Sequence, residues 1–570
     1  MNWLTVLKPY LKRKIGFGIV AVLMVIAEVI LGSFQPKIVA QIIDIGIQQN
    51  RLDYILHQGT IMLVICIGGY VTGVLATIIS GKLSAEIGHD IRNDLFSNIL
   101  HAEMQQNNNI KKQSLFNIIS GDCGTLMEFL AELIHICVKP LLLFVAGLVM
   151  LFLINPTFSW VMLAAIAAEL AIMLFLYKRT ASVFAQIRLK IDGLVKVLRQ
   201  NIIGARAIRI FSRERKEQSR FFEKNQEIEE ESLGIWRFSA KINAVVMMVM
   251  NTVILLVLLI GGLQAQHQTL KIGQILASIT YSQQVMMSML SFGMFFRELA
   301  ETNVASKRIH TVLQLQPEKL NTQMEFDQQI EEISFEDVSF CYEGTYRLQH
   351  ISFTVRKGER VGFLGETASG KTLLIDLLTG LYPVTAGNIF VNGLNIGQFT
   401  PESLRAHIAV AMQEDGIFSD TIEENIAWGR MGDLDATVDA ADAQALVENT
   451  PGKLRTHLFD KGANLSGGQR NKLQMARALY SDAEVLIVDD AISQIDAAGK
   501  KRILENLCQD EKRNIVLLTS QRPSVLRGCT RIFVMQAGRI IAEGDHQTLL
   551  SDCALYRTFC EMQEGSTDET

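Results

Sequence analysis

Charge is scarce in this chain. Asp, Glu, Lys and Arg make up 20% of its 570 residues, against 49% apolar ones, and the mean hydropathy is +0.22. So lean a charge complement argues against a wholly soluble enzyme and for a membrane protein with a soluble part. A basic excess is missing too. The net charge of −5 and the pI of about 6.1 exclude a nucleic-acid binder built on a basic surface. Cysteine pairing is also absent. Cys66, Cys123, Cys137, Cys341, Cys508, Cys529, Cys553 and Cys560 show neither paired nor metal-ligand spacing, and read as free thiols. No cleavable signal is expected, because the first apolar run is a full span with no small-residue cleavage site behind it. The length suggests about three to four domains.

What is present in the first half is apolar runs. Six of them, at about 15–34, 61–80, 133–154, 160–177, 244–262 and 275–296, are long enough to cross ~30 Å of hydrocarbon as helices. The third and fourth are joined by only Asn155-Pro156-Thr157-Phe158-Ser159. The second and third, and the fourth and fifth, are joined by long polar stretches. These carry Lys82, Arg92, Lys111, Lys112, Lys178, Arg179, Arg188, Lys190 and Arg199. With the basic N-terminus, they place both long connections and both termini in the cytoplasm of a cell-membrane protein. The connections read as helical extensions of the spans. Ahead of the first span, Trp3, Leu4, Leu7, Tyr10 and Leu11 alternate with Lys8, Lys12, Arg13 and Lys14, as in a short helix lying on the membrane surface. Polar residues interrupt the spans: Glu28, Lys139-Pro140, Asn243, Asn251, and Thr280 to Gln284. Met247, Met248, Met250, Met286, Met287 and Met289 suit either plain packing or a pliable ligand-facing surface.

A different chemistry begins after a polar linker, 312–332. Arg360-Val361-Gly362-Phe363-Leu364 reads as a strand. Gly365-Glu366-Thr367-Ala368-Ser369-Gly370-Lys371-Thr372 reads as a loop, and Leu373 to Leu378 as a helix. That spacing is the phosphate-binding loop of P-loop nucleotidases. Loop N–H groups and the helix N-terminus suit a phosphate anion, Lys371 the β- and γ-phosphates, and Thr372 an Mg²⁺ ion. Further on come Gln413, the pentapeptide Leu465-Ser466-Gly467-Gly468-Gln469, the apolar strand Val485-Leu486-Ile487-Val488-Asp489, and Ser493-Gln494-Ile495-Asp496. In this order they resemble the nucleotide-binding domain of ABC transporters, and the six spans resemble the membrane half of the ABC exporters that fuse both parts. The resemblance covers nearly the whole chain. It implies a six-helix transmembrane domain at 1–311 and an α/β P-loop ABC domain at 333–565.

The resemblance also assigns roles. Tyr342 would stack on adenine. Gln413 would contact Mg²⁺ and the attacking water, and Asp489 would order Mg²⁺. Ser466, Gly467, Gly468 and Gln469 would meet the γ-phosphate of ATP held by a second chain. The middles of the long connections, near 113–122 and 201–211, would meet nucleotide domains near Gln413.

Three positions depart from the family pattern. Asp490 stands where a glutamate polarises water. Its carboxylate is one methylene shorter and sits ~1.5 Å further back, and a displacement of about 1 Å can cost on the order of a hundredfold in rate. Gln521 replaces a histidine, and an amide cannot relay a proton. Ala368 replaces a glycine. The phosphate grip is kept while the hydrolytic groups are altered, as in one subunit of a heterodimeric ABC exporter. The resemblance therefore implies ATP-driven export of an amphipathic small molecule, with a second half-transporter as partner and lipid around it. The alternatives are a lipid or peptide exporter of the same fold and a regulatory ATP-binding membrane protein without transport.

Overall fold

The computed structural model describes residues 2–108, 110, 112–317, 324–412, 416–510 and 512–565. The chain divides into two compact units: Met1–Leu100 with Lys111–Gln314, and His101–Ile110 with Leu315–Thr570.

The first unit is helical. Helix α1 is Asn2–Arg13, α2 Ile15–Gln41, α3 Leu52–His101, α4 Lys139–Ile154, α5 Pro156–Ile203, α6 Glu214–Gln266 and α7 Ile272–Leu313. At 1.5 Å per residue, the 50 residues of α3 and the 53 of α6 each run about 75–80 Å, far beyond a bilayer core. The expected helical extensions are therefore present as continuous helices. A π-helical turn, Ile134–Val138, precedes Pro140 at the start of α4. Proline has no N–H to offer the turn before it, and a widened turn absorbs that loss without ending the helix.

Among the described residues, four helical stretches are long and apolar enough to cross a membrane: Ile15–Ile47, Leu52–His101, Ser114–Ile154 and Ala244–Gln266. The fourth expected span is a shorter apolar stretch, Pro156–Ile172 of α5. The sixth lies in α7, which is too polar to count by composition. Within this span the serines and Thr280 donate back to carbonyls of the preceding turn, and three other groups of the helix bond to neighbouring helices. The Tyr281 hydroxyl donates to the Ser33 carbonyl at 2.6 Å, Gln284 Nε2 donates to the Leu143 carbonyl at 3.0 Å, and the Gly273 N–H donates to Asp44 at 2.6 Å. A helix that bonds this way stays among partners without being greasy. Glu28 pairs with Lys139 at 2.7 Å. Gly73 leaves room for that carboxylate, since a Cβ there would sit 2.9 Å from Glu28 Oε1. The two charges on different helices neutralise each other, as membrane depth demands.

Helix α1 differs from expectation. Val6, Leu7 and Tyr10 are buried against protein, Trp3 meets Phe129 edge-on, and the Tyr10 hydroxyl donates to Asp94 at 2.7 Å. Docking on neighbouring helices buries the same apolar face that a membrane surface would have taken.

The second unit carries two sheets. Strands β1 (Glu332–Tyr342), β2 (Thr345–Arg356), β4 (Ala386–Val391) and β5 (Leu394–Asn395) form an antiparallel sheet in the order β2-β1-β4-β5. Strands β3 (Arg360–Leu364), β6 (Ile408–Ala411), β7 (Val485–Asp489), β8 (Ile515–Ser520), β9 (Arg531–Gln536) and β10 (Arg539–Gly544) form a second, β10-β9-β3-β8-β7-β6. Pairing from β9 through β3, β8 and β7 to β6 is parallel. The strands β7 and β8 are buried throughout, as the inner strands of a covered parallel sheet must be. A cluster of Phe335, Phe353, Phe363 and Phe533 joins the two sheets, with Phe335 stacked on Phe353 at 4.5 Å.

Candidate functional site

Three neighbouring parallel strands deliver the site. The register aligns Leu364, the last residue of β3, with Ser520 at the end of β8, and Asp489 at the end of β7 with Thr519. The phosphate loop, Asp489-Asp490 and Gln521 thus leave the carboxyl ends of adjacent strands. Open parallel sheets bind ligands in the crevice at those ends.

The loop from Gly365 to Thr372 follows β3 and opens α8, Lys371–Leu378. Gly370 takes φ +105° as the residue before the helix, which suits glycine alone. A Cβ on Gly365 would lie 2.6 Å from both the Met535 carbonyl and Ser369 Oγ. Ala368 takes φ +65°, a left-handed backbone that a Cβ disfavours by about 1 kcal/mol. That is the physical reason glycine is usual there. Lys371 is buried and folds back across its own loop. Its ammonium donates to the Gly365 carbonyl at 2.7 Å, the Glu366 carbonyl at 2.8 Å and Ser369 Oγ at 3.2 Å. Burial lowers its pKa, opposed by Asp490 and Asp489.

Asp489 is held by two hydroxyls. Thr372 Oγ1 donates to one carboxylate oxygen at 2.8 Å and Thr519 Oγ1 to the other at 2.6 Å. A hydroxyl and a carboxylate so placed are hard oxygen donors of the kind Mg²⁺ takes, and they fit it. Asp490 is buried, with φ +50°. Burial pushes its carboxyl above the usual range, while Lys371, Arg522 and Lys500 pull it back. Gln521 is exposed beyond β8. Tyr342 closes β1, half-buried at the edge of the aromatic core. Gln413 lies outside the described residues, so its place is not given.

The pentapeptide builds a helix start. Ser466 caps α9 (Gly467–Tyr480), its Oγ accepting from the Gln469 N–H at 3.3 Å while Gln469 Oε1 accepts from the Ser466 N–H at 2.8 Å. This reciprocal cap leaves the N–H groups of the first turn, at Gly467 and Gly468, facing outward from the helix end. The loop after β7 packs on it. A Cβ on Gly467 would stand 2.3 Å from Gln494 Oε1, and one on Gly468 would stand 3.1 Å from the Gln494 carbonyl. An ion network, Lys472 to Asp442 at 2.6 Å and Asp442 to Arg502 at 2.7 Å, ties α9 to α10 (Ala497–Gln509).

Sequence reasoning missed Thr519, Lys500, Arg522 and Asp376. Thr519 acquires a role only through the β7–β8 register. Asp376 is the only acid on α8, and its carboxyl is pushed up to about 6 by burial and then by Asp489. A raised acid lends its stability below the unfolded value of about 4 and loses it as pH rises through about 6. Asp376→Asn is therefore expected to raise the melting temperature of the nucleotide-free protein at pH 8, by at most roughly 3 kcal/mol of stability. The advantage should vanish at pH 4. Thermal melting at the two pH values checks it, and equal effects at both would contradict it.

Comparison with known proteins places this geometry. Residues 18–289 match the ABC transporter transmembrane region and residues 348–493 match ABC transporter, the ATP-binding family. An uncharacterized ABC transporter ATP-binding protein of Bacillus subtilis (strain 168) is 26% identical over 568 residues, 99% of this chain and 98% of that protein. A second protein of that organism, named "probable multidrug resistance ABC transporter ATP-binding/permease protein YheI", is 30% identical over 377 residues, 65% of this chain and 64% of that one. An ATP-dependent lipid A-core flippase of Syntrophus aciditrophicus (strain SB) is 26% identical over 576 residues, 98% and 93% of the two chains. The fold is also that of a bacterial Atm1-family ABC exporter solved with ATP bound, with a TM-score of 0.81 at 19% identity, covering 97% of this chain and 99% of that one.

Proposed function

Because this chain is an ABC exporter, with a transmembrane region and an ATP-binding domain fused in one polypeptide and an ATPase coupled to transport, we propose that it is one half of a heterodimer. The pair exports amphipathic small molecules across the cytoplasmic membrane, and this chain's own ATP site turns over slowly. The observation that carries this is a split within one site. The residues that would grip are kept: Thr372 donates to Asp489, and the Lys371 ammonium lies on the carbonyls of its own loop. Asp490 and Gln521, which would act on water, are the altered pair.

In this proposal the transmembrane domain is 1–311 with six crossings, the linker 312–332 and the nucleotide-binding domain 333–565, with both termini cytoplasmic. Tyr342 takes the adenine, and the loop Gly365–Thr372 takes the phosphates of ATP. Lys371 leaves its loop carbonyls for the β- and γ-phosphates. Thr372 and Asp489, with Gln413 as a third donor, would hold Mg²⁺, which when bound would supply charge neutralisation to the phosphates. Asp490 holds the attacking water from too far back, and Gln521 offers an amide to the γ-phosphate without relaying a proton. Ser466, Gly467, Gly468 and Gln469 complete the other site, whose glutamate and histidine the partner supplies. A lipid cargo is the second choice, favoured by the flippase likeness.

ATPase assay tests it. The chain alone should hydrolyse ATP at no more than about a hundredth of the rate of the pair formed with a half-transporter that has Glu and His at the two positions. Robust, substrate-stimulated turnover by the chain alone would show a homodimer instead.

A further inference from the structure

Glu169 lies in α5 within the apolar stretch Pro156–Ile172, and its side chain is 0% exposed. Among the described residues, neither carboxyl oxygen has a hydrogen-bond partner. Glu28, by contrast, has Lys139. Glu169 is one helical turn from Ala165 and Ile166, which are buried in one cluster with Met162, Val253, Val257, Tyr281, Met286 and Met289. Among the described residues, the long helices packed on α5 are α4, α6 and α7. Their facing stretches, 141–154, 244–266 and 272–296, contain no Asp, Glu, Lys, Arg or His. Tyr281 is their one titratable group, and its hydroxyl is committed to the Ser33 carbonyl.

A bare carboxylate in such surroundings is an uncompensated buried charge, which costs several kcal/mol on the usual scales. In this conformation Glu169 is therefore the neutral acid. A neutral carboxyl gains nothing here over the apolar residues around it. Its use must come when something meets it. The adjoining walls contain methionines, long and unbranched, which yield to ligands of several shapes.

We propose that Glu169 is a cation-exchange site: it holds a proton in this conformation and gives it up to pair with the positive group of a lipophilic organic cation. The O–H bond breaks, the electron pair stays on the carboxylate, and the proton leaves to water. One positive charge enters as one departs, so the buried site stays neutral throughout. This deepens the export function by naming a substrate class, and it rests on that function only for its part in transport.

Tetraphenylphosphonium binding to the full chain in lipid nanodiscs, without nucleotide, tests it. Affinity should rise by about tenfold per pH unit below the carboxyl's own pKa, with one proton released per cation in weakly buffered solution. Glu169→Gln, the isostere of the neutral acid, should keep its melting temperature, bind at least tenfold more weakly at pH 8 and lose the pH dependence. Proton release from the unaltered chain is read independently of that variant. No binding by the unaltered chain, binding without proton release, or an unchanged pH profile in Glu169→Gln would each overturn the site. Binding with proton release but no ATP-driven movement of the cation would count against export and leave the site standing.

Discussion

Turnover of the assembled pair falls on the order of a hundredfold when Gly467 of this chain becomes Ala, while ATP binding to this chain's own loop is unchanged. The new methyl would stand 2.3 Å from Gln494 Oε1. That atom is the end of a flexible side chain, so Gln494 can swing away and the domain still folds. What cannot be restored is the open approach to the first-turn N–H groups of α9, because the methyl occupies it and Gln494 is driven into the space beside it. Donors aimed at a developing charge lose their value when displaced by about 1 Å. In the proposed pair, the loss falls on the site that this helix end would complete, the partner's. Ser466→Ala should act in the same direction, with about 1 kcal/mol of helix-cap stability lost as well. Single-site turnover and nucleotide binding, measured on the same preparation, separate the two. Turnover within threefold of the unaltered pair would mean that this helix end serves no working site.

Asp490→Glu alone leaves hydrolysis at this chain's own site well below normal. The longer side chain removes the ~1.5 Å deficit. It does so from a backbone at φ +50°, which Asp tolerates more readily than Glu, so part of the gain is lost to strain of about 1 kcal/mol. Gln521 still cannot hold the water and phosphate as an imidazole would. Both groups act on one transition state, so their repairs should be strongly non-additive. Asp490→Glu with Gln521→His should exceed the sum of the two single changes. The measurement is ATP turnover in the pair with the partner's glutamate disabled. Full-rate hydrolysis from Asp490→Glu alone would show that the short carboxylate was the only defect.

The phosphate loop was legible because each part of it is local. An apolar strand, a glycine loop and a helix start are adjacent in sequence, and Asp489 follows a run of four buried apolar positions. Thr519 was not legible, since only strand pairing brings it beside Asp489. Glu169 was passed over as one acid in an apolar run, where position alone does not tell a paired charge such as Glu28 from an orphan. The amphipathic pattern of α1 was read correctly as one apolar face, but the pattern does not name what covers it. Tyr281 and Gln284 of α7 find their partners only in the fold, at the carbonyls of Ser33 and Leu143.

The folded-back Lys371 sets a threshold for occupancy. Three hydrogen bonds to its own loop must be surrendered before the ammonium can serve a ligand. A ligand that fills the loop and also reaches the lysine with further phosphate oxygens returns all three as bonds between two ionised groups, which are stronger than the ammonium–carbonyl and ammonium–hydroxyl bonds lost. A lone inorganic phosphate or a monophosphate brings only one phosphoryl group to share between the loop N–H groups and the ammonium. If the loop holds ATP as proposed, phosphate chain length is screened at the resting loop, where small anions meet a cation that is already engaged.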